Sequence, residues 1–219
     1  NGVTCDRRVC LFARSKFFAG HEHNIPYVVK IVSRAEEINR LRDFLRDEAV
    51  DFTNCHHVAR TKILDCENRK MIIGIIRLPS VLSEVKTPIG KVCTCKLVGD
   101  ILSGLEFLHT RGFAHMDVKV DNIAISENGN FVLIDLGSIS RPGQPTAVTE
   151  LYVPSDFALF VAEFRLDFWA LALTLLRMRL SLTIAHSSRV SCTQILHAVR
   201  DVKDGDVPLL SELEAKLSV

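Results

Sequence analysis

The sequence lacks the long apolar runs, the paired cysteine spacings and the charge excess that mark several classes of protein. No stretch of about 18 apolar residues occurs, which argues against a membrane span. The formal net charge is +1, so composition gives no indication of a nucleic-acid partner. The seven cysteines are odd in number and irregularly spaced, which predicts reduced thiols in a cytoplasmic or nuclear protein. The closest pair, Cys93 and Cys95, does not match a zinc-binding spacing, so we expect no metal cluster of that kind.

The first third of the chain reads mostly as strands with one helix. The hydrophobic fraction of 47% is enough to bury a core. A capping-box pattern at Ser33 and Glu36 predicts a helix start, because the serine and glutamate side chains can bond each other's backbone N–H. The stretch SKFFAGHEHN at 15–24 is predicted to be a turn or loop. Four stretches read as strands: RVCLFAR (8–14), YVVKIV (27–32), RTKILD (60–65) and RKMIIGII (69–76).

The character of the sequence changes after residue 80. Apolar residues recur at helical spacing from Cys95 to His109, and a largely apolar helix is predicted from Glu163 onwards. The Asn-Gly pair at 128–129 predicts a hairpin between IAIS and FVLID. Two shorter helical patterns end the chain. We therefore predict an α+β fold with a β-rich lobe at residues 1–78 and a mainly helical lobe at 79–219.

Two polar segments point to a functional site. The loop FAHMDVKVDN (113–122) carries Asp117, Lys119 and Asn122, and the strand-like FVLIDLG (131–137) ends at Asp135. Because the hairpin folds the second segment back on the first, the three oxygen-bearing side chains are expected to converge. Such oxygens suit Mg²⁺, which would bring a nucleotide's phosphates with it. Asp117 can instead orient an attacking hydroxyl, and Lys119 can reach a phosphate oxygen.

These segments resemble motifs of the eukaryotic protein kinase family. HMDVKVDN is similar to the catalytic loop, and IDLG is similar to DFG. VVKIV resembles the strand with the family's lysine, the next helix supplies a glutamate, TELYVPSD resembles the end of the activation segment, and RLDFWALALTLL resembles the central buried helix. The six stretches occur in family order. The resemblance implies a two-lobed fold, with a reduced β-rich N-lobe and a shortened C-lobe, that binds ATP and Mg²⁺ and acts on a protein substrate.

The resemblance also implies roles for individual residues. Lys30 would hold the nucleotide phosphates and pair with a helix glutamate, for which Glu37 is preferred over Glu36 because it stands directly before Ile38, as in the family. Asp117 would be the catalytic aspartate. The remaining implied roles are phosphate contact by Lys119, metal binding by Asn122 and Asp135, and support of the catalytic loop by Asp167 and His115.

Each of these residues also has an ordinary structural interpretation. Lys30 can be an edge residue whose amine reaches solvent, and Glu37 a solvated helix charge. Asp117 and Asn122 can form turns, and Asp135 can cap a hairpin end. Asp167 is harder to explain in this way, because a buried carboxylate is costly without donors.

The sequence departs from the family pattern in several places. Only Gly2 and Gly20 precede Lys30, so the glycine-rich loop that covers the nucleotide phosphates is not recognisable. Met116 replaces the arginine of HRD, which argues against control through a phosphorylated activation segment. VPSD replaces the APE-like end.

Three functions remain open from the sequence. The first is an active serine/threonine protein kinase, favoured because the chain retains all the chemically essential residues of the family, namely Lys30, Glu37, Asp117, Lys119, Asn122 and Asp135. The second is a pseudokinase that acts as a binding module, favoured by the missing glycine-rich loop. A small-molecule kinase of the aminoglycoside-phosphotransferase type ranks third, since Lys119 and the glycine after Asp135-Leu136 fit the protein kinases better.

Overall fold

The computed structural model describes most of the chain. Within the described residues, no helix is both long enough and apolar enough to cross a bilayer. The described ranges are residues 4–10, 17–46, 52, 55–67, 69–86, 88–157, 161–180, 190–202 and 208–217.

An antiparallel sheet of five strands forms the first part of the fold, in the order β1-β2-β3-β5-β4. The alternation of β3 buries Tyr27 and Val29 on the core side, so that Val28 and Lys30 share the opposite face. The strands are β1 (Thr4–Cys10), β2 (Phe17–Glu22), β3 (Ile25–Val32), β4 (Thr61–Glu67) and β5 (Lys70–Ile76).

The predicted loop at residues 15–24 is wrong over most of its length. Phe17–Glu22 pairs in full register with β3, from Phe17 opposite Lys30 to Glu22 opposite Ile25. The turn is confined to His23 and Asn24, which have positive φ angles of 48° and 66°. Cross-strand pairing therefore outweighs the local turn signal. The strand predicted for 8–14 is described only as far as Cys10, and its remainder lies outside the described residues.

The predicted helix after β3 is present as α1 (Ala35–Leu45), but its predicted cap is wrong. The N-cap residue is Arg34, with no side-chain hydrogen bond to the first turn. The helix thus starts one residue later than a cap at Ser33 requires, and this places Glu37, rather than Glu36, at the third helical position. Ile38, Leu41 and Phe44 form the buried face of α1.

The remainder of the chain is mainly helical, with a small antiparallel sheet in the order β6-β7-β8. The helix predicted from Cys95 begins earlier, after Gly90. The predicted α+β class is confirmed, and the boundary at residues 78/79 stays a prediction. The elements are β6 (Ser80–Val81), α2 (Lys91–His109), β7 (Ile123–Ile125), β8 (Phe131–Leu133), α3 (Phe164–Leu180), α4 (Cys192–Val202) and α5 (Pro208–Leu217).

The β7–β8 hairpin brings the two polar segments together, as the Asn-Gly signal predicts. Ile123 pairs with Leu133, so Asn122 lies just before one strand and Asp135 soon after the other. The Ile134 N–H donates to the Asn122 carbonyl at 2.9 Å. Helix α2 supports this hairpin from behind, where a Cβ on Gly104 would lie 2.6 Å from the carbonyl oxygen of His57.

Candidate functional site

Lys30 links the five-stranded sheet to α1 and to the segment after β8. Its Nζ lies 3.0 Å from Glu37 Oε1 and 2.7 Å from Asp135 Oδ1. Glu36 is exposed, so the structure pairs the lysine with Glu37, the glutamate that the resemblance favours. The Lys30 side chain is only 14% exposed, which strengthens both ion pairs relative to pairs at the surface. Three separate elements therefore meet at one ammonium group.

The electrostatics of this group favour the charged forms of both partners. Burial by itself would lower the pKa of Lys30, but the carboxylates of Asp135 and Glu37 outweigh it and raise the pKa above its ordinary value. Burial would likewise raise the pKa of Asp135, but the ammonium of Lys30 and the N–H of Gly137 hold that pKa below its ordinary value. Lys30 and Asp135 are thus an ion pair at neutral pH.

Gly137 leaves room for the close approach of these charges. A Cβ at this position would lie 2.7 Å from Glu37 Oε1 and 3.2 Å from Lys30 Nζ. The neighbouring Asp135 has φ of 56° and its carboxylate accepts the Gly137 N–H, which forms a tight turn. Arg40 of α1 donates to the Gly137 carbonyl at 3.0 Å. Asp135 therefore does cap the end of the hairpin, through its bond to the Gly137 N–H, and the same side chain also contacts Lys30.

Asp117 is the acceptor for three neighbouring side chains. Its Oδ2 accepts from Lys119 Nζ at 2.7 Å and from Asn122 Nδ2 at 2.7 Å. Its Oδ1 accepts from the hydroxyl of Thr149 at 2.6 Å, and Lys119 Nζ also donates to that hydroxyl at 2.8 Å. The Asp117 carboxylate, the Lys119 ammonium and the Thr149 hydroxyl are thus all hydrogen-bonded to one another, next to Lys30 and its partners.

Thr149 is the site residue that sequence reasoning did not assign to the centre. The sequence suggests only that its hydroxyl lies in the activation segment, together with Ser138, Ser140, Thr146 and Tyr152. The contact with Asp117 spans 32 positions, so no local pattern could reveal it. The one signal available in the sequence was that Thr149 begins the TELYVPSD stretch, which resembles the end of the family's activation segment.

The oxygens of Asn122 and Asp135 fit a magnesium ion. The amide NH₂ of Asn122 donates to the backbone carbonyl of Asp117 at 2.9 Å as well as to its carboxylate, so its carbonyl oxygen faces the other way. The side chain of Asp135 is 32% exposed and lines the same cavity as Asn122. One carboxylate and one amide oxygen, open to a cavity, match the few protein ligands that Mg²⁺ takes when phosphates and waters complete its shell.

Asp167 holds the loop that carries Asp117. This carboxylate is fully buried in α3 and accepts the backbone N–H groups of His115 at 2.8 Å and Met116 at 2.7 Å. His109, at the end of α2, bonds it from a third side at 2.8 Å. The buried charge therefore has the donors that it needs, and it fixes the backbone just before Asp117.

His115 connects this loop to the strand end next to Asp135. The Asp117 N–H donates to its Nδ1 at 3.3 Å, which makes that nitrogen the acceptor. Its Nε2 lies 3.2 Å from the Ile134 carbonyl oxygen and can donate a hydrogen bond to it. The imidazole is fully buried, so it sets the spacing between the two polar segments.

Met116 lies at a buried, apolar position next to Asp117. It has φ of 65°, a strained value for a residue with a side chain, and the bond to Asp167 holds it there. The side chain is buried in a small apolar cluster with Val153 and Leu166. Val153, in the stretch that resembles the end of the family's activation segment, therefore packs against Met116 through apolar contacts.

The cavity that Asn122 and Asp135 line has a volume of about 610 Å³. Phe17 of β2, Val28 of β3 and Ile75 of β5 line it on the sheet side, and Ala124 and Ile134 are among the lining residues of the hairpin region. Lys30 lies beneath Phe17, with Nζ 5.6 Å from the ring centroid. Mostly apolar walls beside a charged centre are suited to a flat base attached to a polyphosphate.

Comparison with known proteins assigns the family. The family model described as "Protein kinase domain" matches residues 19–216. The chain belongs to the protein kinase family. The predicted resemblance is thereby confirmed over most of the sequence.

Curated relatives are similar over parts of the chain. Mitogen-activated protein kinase kinase kinase 17 of Arabidopsis thaliana is 34% identical over 88 residues, which are 38% of this chain and 24% of that protein. Human serine/threonine-protein kinase TAO3 is 26% identical over 150 residues, which are 65% of this chain and 16% of that protein. The matched parts thus amount to less than a quarter of these relatives' own lengths.

A solved structure confirms the fold. The kinase PK-1 of Cydia pomonella granulovirus matches with a TM-score of 0.69 at 14% sequence identity, covering 99% of this chain and 87% of that chain. At this identity the likeness concerns the fold alone. The predicted two-lobed, kinase-like architecture is therefore confirmed.

Proposed function

We propose that this kinase-family chain transfers the γ-phosphoryl group of ATP to a serine or threonine hydroxyl of a protein. The observation that carries the proposal is the convergence of Lys30, Glu37, Asp117 and Asp135 around one small cavity. These groups come from β3, α1, the catalytic loop and the end of the hairpin. Their ion pairs supply the positioning and the charge neutralisation on which phosphoryl transfer depends.

The nucleotide would occupy the two adjoining cavities. Its base fits the apolar cavity beside Phe17 and Val28, and its phosphates extend toward Lys30. Asn122 and Asp135 would hold Mg²⁺, which neutralises phosphate charge when bound. The Lys30 ammonium is held by Glu37, so it stays in place for a phosphate oxygen when Asp135 turns to a cation.

Asp117 would orient the acceptor hydroxyl. Its Oδ1 already accepts a hydroxyl hydrogen bond, from Thr149 at 2.6 Å. In the reaction, the acceptor oxygen forms a bond to the γ-phosphorus while the bond from that phosphorus to the β–γ bridging oxygen breaks. ADP leaves, and the hydroxyl proton passes to Asp117. Lys119, fixed between Asp117 and Thr149, lies where it can offset negative charge on the transferring group.

The alternative is a pseudokinase that binds a partner or a nucleotide without transferring phosphate. The sequence LFARSK at 11–16, between β1 and β2, contains no glycine, so the backbone contacts of a glycine-rich loop are in doubt. The retained charged residues Lys30, Asp117 and Asp135 favour the enzyme over this alternative.

A phosphoryl-transfer assay tests the proposal. The wild-type chain, with Mg²⁺ and γ-labelled ATP, should label itself or a casein acceptor. Asp117→Asn should reduce this labelling by at least about a hundredfold, because it removes the group that accepts the proton. Equal labelling by both proteins removes the catalytic claim. If neither labels, but Mg²⁺ with ATP raises the unfolding temperature of the wild type and not of Lys30→Met, the binding-module alternative holds.

A further inference from the structure

A second polar cavity lies on the face of α1 that points away from the catalytic centre. It has a volume of about 440 Å³. At about 100° per residue, these helix positions lie roughly opposite Glu37 around the α1 axis. The lining residues, here called the arginine cavity, are Asn39, Arg42, Asp43, Arg46 and Arg141.

The described residues that line the arginine cavity carry an excess of positive charge. They include three arginines and one carboxylate, Asp43, which is already engaged by Arg141 Nε at 2.9 Å. Arg42 and Arg46 are four residues apart on the helix, an arrangement of like charges that is unfavourable by itself. A ligand with two negative charges would balance the set.

Two of the three guanidinium groups of the arginine cavity are held by contacts with their surroundings. Arg141 stacks on the face of Phe113, with 4.2 Å between the guanidinium carbon and the ring centroid. Arg42 donates to Cys66 Sγ at 3.1 Å, which directs its side chain toward β4. Planar guanidinium forks held in this way are suited to bidentate contacts with phosphate oxygens.

We propose that the arginine cavity binds a phosphorylated serine or threonine side chain of a partner protein. A phosphate monoester carries a charge of about −1.5 to −2 at neutral pH and three acceptor oxygens, which match the charge excess and the three guanidinium groups. A carboxylate supplies one charge and two oxygens, so it fits less well. The proposal does not depend on phosphoryl transfer by this chain.

A phosphate bound in the arginine cavity would connect two parts of the kinase fold. Asn39 and Arg42 belong to α1, the helix that carries Glu37, and Arg46 is its C-cap residue, whereas Arg141 follows the turn at Asp135–Gly137. Arg141 and Asp43 make a direct ion pair between these parts. A bound phosphate would add contacts across the same gap, so it should raise the unfolding temperature of the chain.

Peptide binding tests the proposal. The probes are N-acetyl-Gly-Gly-phosphoserine-Gly-Gly-amide and the matching serine and glutamate peptides, titrated calorimetrically at low salt. The phosphopeptide should bind at least about tenfold more tightly than the glutamate peptide. Arg46→Gln and Arg42→Gln should each weaken phosphopeptide binding by about tenfold, since each removes a charge-assisted contact. Arg46 is exposed, so its replacement should leave the fold intact.

Two control variants separate the arginine cavity from other anion sites. Arg60→Gln removes an exposed arginine at the start of β4, and Lys30→Met removes the cation of the catalytic centre. Both should bind the phosphopeptide as the wild type does. The proposal is overturned if binding is lost in Lys30→Met but kept in Arg46→Gln, if the glutamate peptide binds equally well, or if no binding occurs up to ~10 mM peptide.

Discussion

At the scale of single residues, the structure shows why the polar groups of this kinase-family chain lie where they do. Lys30, Asp117 and Asp135 each have charged or hydrogen-bonding partners from other elements. The sequence motifs predict these residues as a set, because each belongs to a recognisable stretch. The motifs could not predict Thr149 on Asp117, or the need for Gly137 beside Glu37, since both contacts arise from chain folding.

Asp167→Ala should be strongly destabilising. The change leaves the buried N–H groups of His115 and Met116 without their acceptor, at about 1–3 kcal/mol each, and it releases the strained backbone of Met116. We expect the free energy of unfolding to fall by about 3–5 kcal/mol in urea titrations. Glu106→Ala, at an exposed position in α2, serves as the control and should change it by less than about 0.5 kcal/mol. If both variants lost a similarly small amount of unfolding free energy, Asp167 would not be the group that holds the loop at His115 and Met116.

Asp135→Asn should change how stability depends on pH. The pKa of Asp135 is lowered in the folded state, mainly by Lys30 against the opposing effect of burial, so ionised Asp135 stabilises the fold above its ordinary pKa. This contribution is lost as the pH falls from that ordinary value through the lowered, folded-state pKa. The wild type should be more stable than Asp135→Asn at pH 6, and the difference should narrow below about pH 4.

Urea titrations of both proteins at several pH values measure this difference. A gap that stays constant from pH 6 into the acid range would mean that the ion pair with Lys30 does not stabilise the fold. The raised pKa of Lys30 predicts a loss of stability on the alkaline side of the pH range. Its contribution is complete below the ordinary lysine pKa and is lost as the pH rises through the raised value.

At the scale of elements, strongly periodic segments were predicted well and capped or paired ends were not. The hairpin of β7 and β8, and helices α2 and α3, follow from their patterns. The strand β2 was missed because its stability comes from pairing with β3, which a local turn signal does not report. The capping box predicted at Ser33 is wrong because the N-cap residue is Arg34, which makes no side-chain cap hydrogen bond.

Gly104→Ala tests how tightly α2 packs behind the hairpin. Alanine has the better helix propensity, by about 1 kcal/mol, but its Cβ would lie 2.6 Å from the His57 carbonyl oxygen and 3.2 Å from Leu133. The backbone of His57 must therefore shift, so we expect a net destabilisation of about 1–3 kcal/mol in urea titrations. Ser103→Ala, at the exposed neighbouring position, is the matched control and should be neutral or slightly stabilising. A gain in stability for Gly104→Ala would contradict the close packing.

At the scale of the whole molecule, the sheet, α1 and the helical part share one hydrophobic core, and the charged residues of the candidate site come from the same parts of the fold. The sheet contributes Lys30, α1 contributes Glu37, and the helical part contributes Asp117 and Asp135. The α+β class and the order of motifs were predictable, because they follow from periodicity along the chain. The sequence does not predict which residues would cover the phosphates of a bound nucleotide, because residues 11–16 lack the family's glycine pattern.

The most direct test is a crystal structure of the chain with Mn²⁺ and a non-hydrolysable ATP analogue. We predict an anomalous Mn²⁺ peak between the side-chain oxygens of Asn122 and Asp135, with Lys30 on a phosphate oxygen and the base beside Val28. Nucleotide bound elsewhere, or metal that contacts neither Asn122 nor Asp135, would contradict the proposed site.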